Sequence, residues 1–377
     1  MTISPLPVEP GKIRLTNGPI RTVTQPIIQK SAGGDGQVVE FLIPVPTLIL
    51  DSLPWKPVKC MVGGLPSFVE KPLSSMLPSY PDARIGNESA DAYCTILRVG
   101  TPEGLTERYP TPADLWPTIV SLLSWMRVKA RHYWMMHGQS PFGLDYRGSI
   151  LNQRGNQTGL QNFSTYGRSV IVRPLTEGIW YSLEAEMCSG ADIPVSEALF
   201  CDALVSAVTG AELKSVLELG VAAEVAITQL LSDVAGTPPT NPEKRKFLAK
   251  GEWDSFKEKM EKWPSKLGLQ SAKSFKIEAA SKDWTEHVKE LYRYRGSVAH
   301  SGRIRLTKNI AVYIHATNAL LHYCREQRRR ADLNTYSFPA GNSPFHQIEA
   351  VSDGVISCTS ETVYGERLGT VNASLTE

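Results

Sequence analysis

Arg295 and His300, with four residues between them in the stretch LYRYRGSVAHSG (Leu291 to Gly302), are residue types that can do RNA chemistry without a metal. An imidazole titrates near pH 6.5 and so moves protons around neutrality, while a guanidinium braces a phosphate and stabilises the charge that grows on it. RNA brings its own nucleophile, the 2′-hydroxyl. Trp284, Val288, Leu291, Arg295 and Val298 follow the i, i+4, i+7, i+11, i+14 rule, which sets Arg295 on the apolar stripe of a helix expected over Lys282 to Ala299. Arg293 falls instead on the polar face with Lys282, Glu286, Lys289 and Ser297, where solvent explains it. A guanidinium on an apolar stripe demands a partner. His300 precedes Ser301 and Gly302, so the spacing places it where the helix ends and the backbone turns its ring toward Arg295. Arg293, six intervening residues before His300, is the alternative register, and Ser297 is a supporting candidate.

Further candidates lie on neighbouring helices. Glu224 shares an apolar stripe with Leu213, Leu217, Ile227 and Leu231, and a carboxylate there needs either an arginine of the Arg295 kind or a structural bond. His315, Asn318 and His322 fall on one side of a later helix, reading as a boundary face or as histidines lining a cleft. Arg325, Arg328, Arg329 and Arg330 close that helix, where cations suit the dipole and could also contact RNA phosphates. Trp116, Trp125, Trp134 and Tyr133 read as core aromatics with base stacking as the sharper alternative.

These residues need elements to hold them, and the chain changes texture near residue 190. Residues 1–190 read as a mainly β domain with strands such as VVEFLIPVPTLIL, SVIVRPL and GIWYSLEAEM, and one helix from Ala113 to Gly138. NQRGNQTGLQNFSTYG (Asn152 to Gly167) reads as a long hairpin loop whose amides and Arg154 could meet a ligand. Residues 195–330 read as five helices: two apolar ones before the breaker GTPPTNP, a third from Glu243 to Trp263 with Trp253, Phe256, Met260 and Trp263 on one face, then Lys282 to Ala299 and Thr307 to Arg330. A polar tail, 331–377, could return as short strands. The fold class expected is thus α+β.

Composition narrows the chemistry. The net charge of +2 conceals 22 Lys and Arg against 16 Asp and Glu over Val195 to Arg330, a bias toward a polyanionic partner. Six cysteines without a CxxC pair suit a reducing cytoplasm, and seven histidines without HxH or HExxH spacing argue against a metal site. His132 and His137 would stand about 140° apart on a helix. No cofactor motif, export signal or membrane span is read from the chain.

The stretch LYRYRGSVAHSG, in the penultimate helix of a helical domain whose long second helix carries the mid-helix acid Glu224, resembles the HEPN signature, Arg, four to six residues, then His. It is most similar to the abortive-infection-type members, and the resemblance covers about Val195 to Arg330. It implies a metal-independent endoribonuclease acting on tRNA or mRNA and leaving a 2′,3′-cyclic phosphate. It also implies a homodimer through the helical domain that unites two motifs in one cleft, and a toxin or anti-phage role, with the N-terminal domain answering an unknown trigger. The position after the arginine, often polar in active members, is Gly296. The alternative is a non-catalytic HEPN module that dimerises and binds a nucleotide or protein.

Overall fold

In a computed structural model of the chain, the backbone is described for residues 27–30, 39–45, 55–70, 95–101, 112–133, 135, 163–173, 175–236, 241–302, 305–333, 335, 336, 338, 343–363 and 366–374. The chain divides into two units, Met1–Asp192 with Asp353–Glu377, and Ile193–Ser352. The helical unit therefore continues beyond residue 330 to residue 352, and only the last part of the tail belongs with the N-terminal unit.

In the N-terminal unit, alternation does what strand physics asks. Along β3 (Val58–Val62) Val58, Cys60 and Val62 are buried while Lys59 and Met61 face out. Gly63 and Gly64, both at positive φ (56° and 84°), form the two-residue turn into β4 (Leu65–Glu70). With β1 (Ile27–Lys30), β2 (Val39–Val45) and β5 (Thr95–Thr101) these strands form an antiparallel sheet in the order β1-β2-β5-β4-β3. A second sheet, β6-β7-β8, joins β6 (Phe163–Val172) to β7 (Ile348–Val363) and β8 (Glu366–Ser374), so the tail does form strands.

Three expectations fail here. GIWYSLEAEM is not a strand but most of helix α2 (Glu177–Ser189); Thr176 caps its first turn by accepting the Ile179 N–H at 3.3 Å and Gly190 ends it at φ 63°. Ile179, Trp180, Leu183, Glu186 and Met187 are its buried side, a helical and not an alternating spacing. Helix α1 (Pro112–Lys129) stops well short of Gly138, before Arg131 at φ 57°. Phe163 to Gly167 belong to β6 rather than to a loop, whereas Arg154, Trp134 and His137 lie outside the described residues.

The helical unit is built on α4 (Glu212–Gly236), reached from α3 (Val195–Val208) through a turn at Gly210, φ 80°. Ser215 Oγ donates to Ala203 O at 2.9 Å and Ser206 Oγ to Glu218 at 2.6 Å, stitching the pair. By length and apolarity α4 could cross a membrane, yet 56% of its most apolar window is buried among the other helices, as a core helix requires. Helix α8 (Trp284–Ser301) and helix α9 (Ile310–Arg330) pack on α4. Asn309, not Thr307, caps α9 by accepting from Ala311 N at 2.8 Å; Thr307 instead bonds Tyr294 Oη at 2.9 Å and Glu290 at 2.8 Å.

The third expected helix is broken into α5 (Pro242–Lys250), a 3-10 turn (Gly251–Trp253), α6 (Phe256–Glu261) and α7 (Trp263–Lys266). Ser255 starts α6 with a capping box to Glu258, and this new start takes Trp253 off the shared face. Four long helices with a segmented connection replace five.

Candidate functional site

The site grows from α4, whose positions 220, 224 and 228 form one stripe at four-residue spacing. At Gly220 a Cβ would lie 2.6 Å from Arg295 Cβ and 2.8 Å from its Cγ, so the missing side chain is what admits the arginine stem. One turn on, Glu224 Oε2 meets Arg295 Nη2 at 3.2 Å, with both side chains about 30% exposed (30% and 29%). The same carboxylate accepts from Tyr292 Oη at 3.3 Å, and the guanidinium carbon lies 5.3 Å from the Tyr292 ring centroid. Tyr292 is backed by Phe256, stacked at 4.5 Å and 11°. Burial, then the Glu224 charge, push the Tyr292 phenol upward and keep it a hydrogen-bond donor. Another turn along, Thr228 accepts from the buried Lys259 Nζ at 3.1 Å.

Of the two partners open to Glu224, an arginine of the Arg295 kind or a structural bond, the carboxylate meets Arg295 itself. Arg295 is fixed from three sides and still reaches solvent. Such an arginine can stabilise developing phosphate charge without reorganising first.

His300 departs from its expected geometry. Helix α8 runs through it to Ser301 before Gly302 caps the end at φ 65°, so the imidazole stays in helical register and is exposed. Five residues on a helix turn about 140°, which separates His300 from Arg295 within one chain. The ring does not swing back onto the arginine. Seven residues turn to within about 20°, so Arg293, Ser297 and His300 share one exposed face. There Ser297 Oγ donates to Arg293 O at 3.2 Å and Ser301 Oγ to Ser297 O at 2.7 Å. A Cβ at Gly296 would meet nothing within 4 Å.

Helix α9 corrects several readings. His315 is exposed, but Asn318 is buried and donates to Phe345 O at 3.1 Å, while His322 Nδ1 is 3.1 Å from Ser343 Oγ. The 343–347 segment lies over that side, with the Phe345 ring 5.3 Å from the His322 ring, and leaves His322 half-buried. Burial, reinforced by Arg325, pulls its pKa down to about 4.

The terminal arginines are engaged within the protein. Arg325 is buried and pairs with Glu197 at 2.5 Å, where Tyr336 Oη also donates to that carboxylate; it is withdrawn from solvent. Arg328 pairs with Asp233, Arg329 with Glu326 at 2.9 Å, and Arg330 donates to Gln270 at 2.6 Å while lying over Phe275.

Among the aromatics of the N-terminal unit, Trp125 and Tyr133 are buried, Trp125 donating to Ala191 O at 3.2 Å, and Trp116 is 46% exposed. Sequence reasoning missed Gly220 and Tyr292, though the tyrosine stood inside the quoted motif, and it missed the buried Lys129–Glu186 pair at 2.6 Å. Comparison with family models, curated proteins and solved structures finds no match to this chain.

Proposed function

We propose that the protein is a metal-independent endoribonuclease of HEPN type, a cytoplasmic toxin or anti-phage effector that cleaves tRNA or mRNA as a homodimer under control of its N-terminal unit. The observation that carries this reading is Arg295, pinned by Glu224 and Tyr292 yet part-exposed, on the helix whose last turn presents His300. His300 takes the proton from the RNA 2′-hydroxyl, the 2′-oxygen bonds to phosphorus, and the bond from phosphorus to the 5′-oxygen breaks. That oxygen leaves with a proton returned by an imidazolium, giving 2′,3′-cyclic phosphate and 5′-hydroxyl ends. Arg295 carries the charge on the phosphoryl oxygens. A symmetric dimer sets two helix ends in one cleft and so bridges the angle between Arg295 and His300.

A non-catalytic binding module is the second reading, favoured by Gly296 and by the carboxylate already on Arg295. Incubation of purified protein with tRNA and total RNA in EDTA separates the two. The nuclease yields cyclic-phosphate ends that His300→Ala abolishes; equal cleavage by wild type and variant, or none by either, selects the module.

A further inference from the structure

The break between α5 and α6 presents a surface that the motif does not explain. Trp253 is 90% exposed, although indoles are normally withdrawn from water. Its backbone is firmly built on both sides. Gly251 is buried against Phe247, where a Cβ would lie 2.2 Å from Cδ2, so the 3-10 turn closes tightly over the end of α5. Beyond the indole, Asp254 Oδ2 accepts from Trp263 Nε1 at 2.7 Å, and Ser255 begins the capped α6. The turn is thus anchored on both sides of an indole that is itself left in solvent.

The charge around it is one-sided. Residues 242–266 hold eight Lys and Arg against five Asp and Glu. Three of the five carboxylates are matched by cations, Glu243 by Lys266 at 3.2 Å, Glu258 by Lys262 at 3.3 Å and Glu261 by Lys289; Asp254 holds the Trp263 indole, and Glu252 adjoins Trp253 in the 3-10 turn. On α5, Phe247 is the buried side, which leaves Arg245, Lys246 and Lys250 exposed with Leu248, at 43% exposure, among them. Lys246 and Lys250 are one turn apart and lie just before the Trp253 turn. Cations beside a free aromatic face complement a flexible strand whose phosphates and bases alternate.

We propose that Arg245, Lys246, Lys250 and Trp253 form a docking surface for single-stranded RNA, a base stacking on the indole and the flanking phosphates meeting the cations. The proposal rests on the nuclease reading for its ligand, since it names the substrate class that the Arg295–His300 machinery would receive. Stacking is sequence-tolerant, so this surface recognises unpaired strand rather than a base order.

The test uses the full chain and a labelled 2′-O-methyl oligonucleotide, which cannot supply a 2′-hydroxyl nucleophile. Binding is read by anisotropy and by quenching of indole fluorescence. Trp253→Ala is expected to weaken binding about tenfold, Trp253→Phe to restore most of it, and the pair Lys246→Gln with Lys250→Gln to lower the salt slope by about 1.4. Binding that Trp253→Ala leaves unchanged overturns the proposal, as does an oligomer that this substitution dissociates. So does an indole that shifts blue on vesicles of phosphatidylserine and phosphatidylcholine without responding to RNA. Binding through Trp253 with no cleavage of unmodified RNA supports this surface and sinks the nuclease; cleavage whose KM ignores Trp253 does the reverse.

Discussion

Two arginine–glutamate pairs cross between helices of the same unit, and their surroundings give them opposite roles. Arg325 and Glu197, between α9 and α3, are 8% and 3% exposed and share Tyr336 as a third partner. Arg295 and Glu224, between α8 and α4, are 30% and 29% exposed, with the Tyr292 ring beneath the guanidinium. Identical charge chemistry is locked in one place and accessible in the other. Exposure, more than residue type, decides which arginine can meet a phosphate.

The largest effect is expected at Glu197. Glu197→Ala leaves a guanidinium buried without its counter-charge and should cost about 3–5 kcal/mol in denaturant unfolding, whereas replacing Glu197 and Arg325 together by Met should recover most of that loss. Glu224→Ala, at the part-exposed pair, should cost about 1 kcal/mol or less. Equal costs at the two sites would erase the distinction.

Acid probes the covered side of α9. His322 sits near pKa 4 against an ordinary 6.5, chiefly through burial. As pH falls below about 6.5 the unfolded chain binds this proton and the folded chain does not. The stability involved is complete above about 6.5 and is lost on the way down to about 4, at up to about 1.4 kcal/mol per pH unit. Urea midpoints measured from pH 7 to pH 4 should therefore fall more steeply for the wild type than for His322→Gln.

Two helical glycines adjoin Arg295, Gly220 against its stem and Gly296 next to it in α8. Gly220→Ala drives a methyl into the Arg295 stem and should destabilise by about 1–3 kcal/mol. Gly296→Ala enters open space and should stabilise by about 0.5–1 kcal/mol through helix propensity alone. Unfolding of the two variants side by side checks the opposite signs.

Much of this was legible in sequence where a residue broke a pattern. Arg295 and Glu224 each interrupt an apolar stripe, and each turns out to answer the other. Helices α3, α4, α8 and α9 follow from long runs of helical spacing. Arg325 was illegible because it opens a basic run that looks solvated, while its partner stands 128 residues away. The α5–α6 break was hidden because Trp253, Phe256, Met260 and Trp263 keep helical spacing across it, and only Gly251 and the Ser255 cap reveal the interruption. Helix α2 was misread through its Ile-Trp-Tyr run, although Thr176 and Gly190 marked both of its ends.

Whether Arg295 serves cleavage rather than folding is decided by measuring cleavage and stability together for Arg295→Ala, in EDTA, with the 3′ ends of the products identified. Cleavage is expected to fall at least about 100-fold, as for loss of a charge-stabilising donor, while unfolding shifts by no more than about 1 kcal/mol. Undiminished release of 2′,3′-cyclic phosphate ends by Arg295→Ala would contradict that expectation.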